Sequence, residues 1–411
     1  MDTPEDVVDL PWVICRYSDR FHRLGEGSHH AGSPLGAWLI VALASRAASG
    51  RLREELTAIL GVDPGSAASC ADRMLGAGHP AVACAVAVWA QAGRDAESLA
   101  PFLGSLPASV ERGVGIPPQS ELDSWARERT SGLIPSFPLL PETRPSLLLA
   151  NALATKVQWD TPFDTAPATL LGARSEWSRA LERVLSATGG PDHVEFIART
   201  RGAGDVAVHS AWSRSFLRVT SVIAAPDVPP REVLAAAHDI ATRLAIGAAD
   251  RFSLHELPLG ETSTWRLTEQ KVYTKVLDKP AESYSALLPA WDAHSEYDLL
   301  DGELGFEQAA QVIGQIGGLP VDDVQAKQSV MGRYTQVGFE AAAVTEMGMR
   351  LTGLPPPRKR VVKRHAELRF GHPFAVVATA SDNNRGIGPW HGVPVFSAWV
   401  AEPMEPIAEA G

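Results

Sequence analysis

Behind the pair Ser33-Pro34 the chain runs Leu-Gly-Ala-Trp-Leu-Ile-Val-Ala-Leu-Ala with no polar side chain. That density predicts a helix buried on all sides, ending near Gly50. Residues 51–60 mix charged and apolar positions at helical spacing and stop at Gly61, an amphipathic helix. Residues 81–90 alternate small and branched apolar side chains, which suits a buried strand and leaves a helix open. Residues 120–130 open on a capping Ser120, place Leu122, Trp125 and Ala126 on one face and close at Gly132, a short helix. Between Ser146 and Thr155 a single polar residue, Asn151, interrupts an apolar run, the pattern of a central strand with a purposeful amide.

Further on, the pattern predicts a basic helix over 177–186, a strand over 216–224 and a helix over 231–245. The last third reads as a helix over 307–316 and a strand over 329–337, then a run of small residues and a Pro-basic stretch. Strands over 374–379 and 393–400 close it. No repeat or linker divides the chain, so a single domain over 1–411 is expected. The irregular interleaving of helices and strands favours an α+β fold.

Composition narrows the function classes. Hydrophobic residues make up 45% and charged residues 21%, enough for a substantial core. A net charge of -11 argues against nucleic acid or an anionic membrane as partner, since both require a positive field. Cys15, Cys70 and Cys84 are odd in number and lack metal-type spacing, which fits a reducing compartment. The acidic start lacks the basic and apolar regions of a secretory signal, and the longest apolar run, 37–44, falls short of the roughly 18 residues that span a bilayer. A cytoplasmic location is expected. His29-His30 on a Gly/Ser-rich turn reads as a surface pair without a third ligand, so no metal is expected. His372 and His391 read as structural. No phosphate loop, nucleophile elbow or HExxH pattern occurs, so neither a cofactor nor ordinary catalysis is indicated.

Three segments, in order, resemble the serpin family, in its divergent bacterial type. They are Ser33-Pro34-Leu35, the run from Leu149 to Asp164 with its Asn151, Lys156, Trp159, Pro162 and Phe163, and the closing set. That set comprises Gly338 to Thr345, Phe370 to Phe374 and Val395 to Pro403. The resemblance covers both ends of the chain well and the stretch 169–300 poorly. It implies three β-sheets with about nine helices and an exposed reactive-centre loop, here about 338–365. In the family a protease cuts that loop, and the freed arm enters the main sheet as a new strand.

The resemblance makes Gly338, Phe339, Glu340, Ala341, Ala342, Ala343 and Thr345 the moving hinge. Alternation sets Phe339, Ala341, Ala343 and Thr345 on one face, nearly all small. Phe339 stands where the family has Thr or Ser, and an oversized group in a packed sheet costs about 1–3 kcal/mol, so slow insertion is expected. Gln336 and Val337 replace an acidic and a polar residue beside it. Gln328 replaces a His beneath the sheet, and Gly36 a Ser. Counting forward puts the scissile bond near Thr352-Gly353, and counting back puts it near Val362. The loop is therefore about ten residues long beyond the norm. Between those counts lie the stiff 355–357 prolines and the basic Arg358 and Arg360, which suit a trypsin-like or basic-pair protease, or else form a solvated charged loop. Ser33, Asn151, Trp159 and Gln328 are the expected opening and gating residues. The implied function is inhibition of a serine protease. The alternative is a non-inhibitory serpin fold that binds a small molecule or partner, or a repurposed enzyme, which rests on Phe339, Gln336, Gln328 and the long loop.

Overall fold

The computed structural model describes residues 8–25, 27–91, 96–138, 145–155, 157–274, 281–317, 324–339, 359–382 and 388–406. Nine α-helices lie among them: α1 (Leu10–Phe21), α2 (Pro34–Ala44), α3 (Gly50–Leu60), α4 (Pro64–Ala77), α5 (Ala96–Ser105), α6 (Gln119–Arg129), α7 (Trp177–Ala180), α8 (Pro230–Ala245) and α9 (Phe306–Gly317). The first strands are β1 (His30–Gly32), β2 (Val82–Ala90), β3 (Glu111–Val114), β4 (Leu147–Thr155), β5 (Val157–Gln158), β6 (Asp164–Pro167), β7 (Arg183–Thr188), β8 (His193–Thr200), β9 (Gly204–Trp212) and β10 (Leu217–Ile223). The rest are β11 (Gly260–Glu261), β12 (Trp265–Thr274), β13 (Ala281–Leu288), β14 (Trp291–Asp298), β15 (Val324–Tyr334), β16 (Gly338–Phe339), β17 (Lys359–Arg369), β18 (Phe374–Ala380) and β19 (Pro394–Val400).

They form three sheets. The main sheet runs β3-β2-β4-β15-β16-β5, with β14 on β15; the back sheet runs β1-β19-β18-β10-β9-β8; the third runs β11-β12-β17-β13-β7-β6. At the centre of the main sheet β4 and β15 are parallel over eight register pairs, from Leu147↔Val324 to Ala154↔Met331. Both of these strands pair antiparallel on their other sides, β4 with β2 and β15 with β14.

Helix α2 explains its own hydrophobicity. Ser33 caps it by accepting from Gly36 N, Pro34 starts it, and all of its residues are buried, because it packs against β4 and β19 as well as α1, α4 and α9. Gly61 closes α3 at φ +75°, its N–H on Thr57 O. Helix α6 lies on an alanine face of the main sheet, Ala85, Ala87, Ala150 and Ala152, with Trp89, Trp125 and Phe137 around it. Helix α8 covers the back sheet through Val233, Ala237, Ile240 and Ala241. Among the described residues no helix is long and apolar enough to cross a membrane.

Three sequence expectations shift. The basic helix over 177–186 is only the turn α7, and 183–188 is β7. Its Val184, Leu185 and Ala187 are buried, and its backbone is paired to β6 and β13, which outweighs helical charge spacing. Strand β15 begins at Val324 rather than 329 and ends before a turn in which Thr335 N and Oγ1 both donate to Gly338 O. The basic stretch is not all loop: from Lys359 onward its backbone is β17, at the heart of the third sheet. There Arg364 meets Glu269 and donates to Leu254 O and Leu257 O.

Candidate functional site at the mouth of the main sheet

A polar bolt holds β4 to β15. Asn151 and Gln328 stand opposite each other in the register, both fully buried. Gln328 Nε2 donates to Asn151 Oδ1 at 3.2 Å and to Ser33 O at 3.0 Å, while its Oε1 accepts from Ser33 N at 3.1 Å. Asn151 Nδ2 donates to Ala85 O at 3.0 Å on the neighbouring strand. Ser33 Oγ donates to Val395 O at 2.8 Å, so the bolt reaches the back sheet. The side-chain amide of Gln328 thus uses both hydrogens and its oxygen, which a single imidazole could not do. Gly36 follows from the same packing, because a Cβ there would collide with the Asn151 amide.

Above the bolt the two strands part, and Gly338 and Phe339 sit between β15 and β5, antiparallel to both. Phe339 is fully buried against Trp291, Tyr334 and Phe396. The expected steric obstacle is thus already seated inside the sheet. Space for it comes from Gly332, where a Cβ would collide with Phe396 and stand 3.2 Å from Phe339. Trp159 packs beside Tyr334 with ring centroids 4.9 Å apart, and its Nε1 donates to Thr335 O. Trp159 N and Phe163 N donate to Val337 O and Gln336 O. The pivot is therefore gripped by its backbone, which is indifferent to the side chains at 336 and 337.

Behind this mouth lies a group that sequence patterns did not reveal. His193 Nε2 donates to Thr161 O at 2.8 Å, so in the neutral ring Nδ1 accepts, and His209 Nε2 donates to it at 3.1 Å. His209 is fully buried, and burial first, then His193, pushes its pKa well down. Glu195 faces His209 across β8 and β9, and burial lifts its carboxyl to about 8. Burial and Glu195 both raise the Tyr334 hydroxyl.

The surface expectation for His30 is wrong. It is buried, its Nδ1 donates to Ser28 O at 2.8 Å, and its Nε2 accepts from His22 Nδ1 at 3.0 Å. His22 Nε2 then accepts from the Ser397 hydroxyl at 2.8 Å, with His238 packed alongside. His29 is half-buried, its ring held by Asp292 O and by the amides of Ala401 and Glu402. These rings staple the start of the chain to its end.

The hinge residues Glu340, Ala341, Ala342, Ala343 and Thr345, and the scissile candidates Thr352, Gly353 and Arg358, lie outside the described residues. Arg360 and Val362 belong to β17, paired with Tyr273 and Lys271.

No protein-family model and no curated protein sequence matches the chain. Solved structures do. The native thermophilic serpin tengpin aligns with a TM-score of 0.60 at 12% identity over 98% of this chain and 96% of that one. Serpin48 of the insect Tenebrio molitor gives 0.59 at 15% identity over 98% and 100%, and human thyroxine-binding globulin crystallised with thyroxine gives 0.61 at 13% over 96% and 99%. An α+β architecture of three sheets that matches these structures from end to end identifies this chain as having the serpin fold.

Proposed function

We propose that this protein is a serpin-type serine protease inhibitor: a protease cuts within 340–358, and the freed arm slides between β4 and β15. The observation that carries this is the seat of Gly338 and Phe339. A chain that turns back after β15 and enters between two parallel strands must run antiparallel to both, and β16 already does.

In the inserted state the arm would continue the register that Phe339 begins on β15. Phe339 faces Tyr334, so continuation sets Ala341 opposite Gly332, Ala343 opposite Val330 and Thr345 opposite Gln328. Those β15 positions are buried, and small side chains enter such a surface with little steric cost or loss of rotamer freedom. Insertion breaks the Gln328–Asn151 bond and exchanges one strand interface for two. The Thr345 hydroxyl, donor and acceptor at once, falls between the two parted amides and can serve both. Gly338 and Phe339 thus become the hinge and Trp159 the gate. Arg360 and Val362 are tied into a ladder, whereas a protease needs an unpaired extended segment, so we place the cut before Lys359, in the stretch holding Thr352, Gly353 and Arg358. The three cysteines are free, which suits the reducing cytoplasm.

The test is incubation with trypsin-like and subtilisin-like proteases. An SDS-stable complex is expected, together with a nicked form that melts well above the intact protein. Cleavage with neither outcome rejects inhibition.

The bolt favours a second reading. Gln328 is held by three hydrogen bonds in a fully buried setting, and the one to Asn151 lies in the path of the arm. An arm halted above that bond would leave a non-inhibitory fold that binds a small molecule or a partner, as thyroxine-binding globulin is complexed with thyroxine. An unchanged melting temperature after nicking selects it.

A further inference from the structure

A cleft of about 770 Å³ opens between residues 171–177 leading into α7, the end of strand β11 with the two residues after it, and the link from β17 to β18. Sites for small molecules typically measure about 300–1,000 Å³. Leu171, Trp177, Pro226 and Pro373 supply its apolar lining. Trp177 is set edge-on against Phe374, leaving little freedom to fill the space.

The walls are braced apart. Arg369, itself buried, pairs with Glu261 at 2.6 Å and Glu367 at 2.8 Å, which ties the β11 wall to β17. Ser175 Oγ donates to Gly371 O at 2.6 Å, and His372 Nε2 donates to Ala224 O at 2.8 Å. A Cβ at Gly172 would stand 3.1 Å from Arg369 Nη1, and one at Gly371 would stand 2.8 Å from Ser175 Oγ. Side chains at those positions would crowd the braces, so glycine preserves the shape. A cavity held open in this way gives up little conformational freedom when it binds.

Three charged residues line the cleft: Arg174, Glu176 and Glu261. Glu261 shares the single charge of Arg369 with Glu367, so that wall keeps a net negative charge. Arg174 and Glu176 are exposed and have no ion pair among the described residues. Arg174 is thus a cation beside an apolar, aromatic surface, the combination that receives a ring bearing an anionic group.

We propose that this cleft binds a small aromatic acid, its ring on the apolar lining beside Trp177 and its carboxylate or sulfonate on Arg174. The site is independent of loop insertion and needs no cut in 340–358.

The probe is 1-anilinonaphthalene-8-sulfonate, titrated into the intact protein by fluorescence. One saturable site is expected. Ala173→Trp at the exposed rim should abolish it by filling the mouth. Arg174→Gln should weaken it about tenfold, and Glu176→Gln should strengthen it by removing a repulsive neighbour. All three positions are exposed, so melting temperatures should stay level and confirm folding. Absence of a saturable site, or binding that ignores Arg174→Gln or Ala173→Trp, overturns the proposal.

Discussion

The ring of Phe339 fills space that Gly332 leaves open, so the two residues form one packing unit. Phe339→Ala empties a site lined by Trp291, Tyr334 and Phe396, and a buried Phe→Ala change costs about 3–5 kcal/mol. Urea unfolding of the intact protein should register that loss; a change under about 1 kcal/mol would put the ring outside the core. The bolt makes a second prediction. Asn151→Ala strands one Gln328 hydrogen and should cost about 1–3 kcal/mol, while Gln328→Ala strands the Asn151 oxygen together with Ser33 N, takes a bond from Ser33 O and should cost more. Removing both leaves neither partner stranded across that bond, so the double variant should cost less than the sum. Strict additivity would mean that the two amides do not share a bond.

At the scale of elements, β17 matters most. It makes ten antiparallel pairs with β12 and seven parallel pairs with β13, and it leads directly into β18 at the centre of the back sheet. A protein nicked within 340–358 should therefore keep its C-terminal piece. Gel filtration should return both fragments in one peak, and only denaturant should part them; spontaneous separation in buffer would contradict the ladder. The same strand shows where sequence reading stops. Helices α3 and α6 were legible from the spacing of one apolar face, and α2 and β4 from apolar runs dense enough to demand burial on every side. Strand β17 carries Lys359, Arg360, Lys363 and Arg364, and its partners lie about ninety residues upstream, so its charges look solvated until Glu269 is placed beside Arg364. The start of β15 was hidden likewise by Lys327, which pairs with Asp298. Asn151, Gln328 and Trp159 were legible through family resemblance, while Gly332 and Glu195 bear no motif and acquire meaning only from neighbours distant in the chain.

Over the whole molecule, buried titratable groups set opposing pH trends. Burial lowers His22, His209 and His238 from the ordinary 6.5, His238 to about 3, and His30, His79, His193, His365 and His372 shift the same way. Below pH 6.5 the unfolded chain takes up protons that the folded chain refuses, so stability falls as pH falls. Glu195 acts in the opposite sense. Its folded pKa is about 8 against an ordinary 4.5, so between those values the folded chain holds a proton that the unfolded chain has released, and stability falls as pH rises. At pH 6.5 an unfolded imidazole is still half protonated, so several histidines outweigh one carboxyl there, and the carboxyl prevails only once they have lost their protons, which puts maximum stability at about pH 7. Glu195→Gln removes the alkaline limb. Urea midpoints measured at about pH 5.5, 7 and 8 should be highest at the middle value for the native chain. For the variant they should not fall from the middle value upward and should drop more steeply below it. A variant that still weakens toward pH 8 would assign that limb to a group other than Glu195.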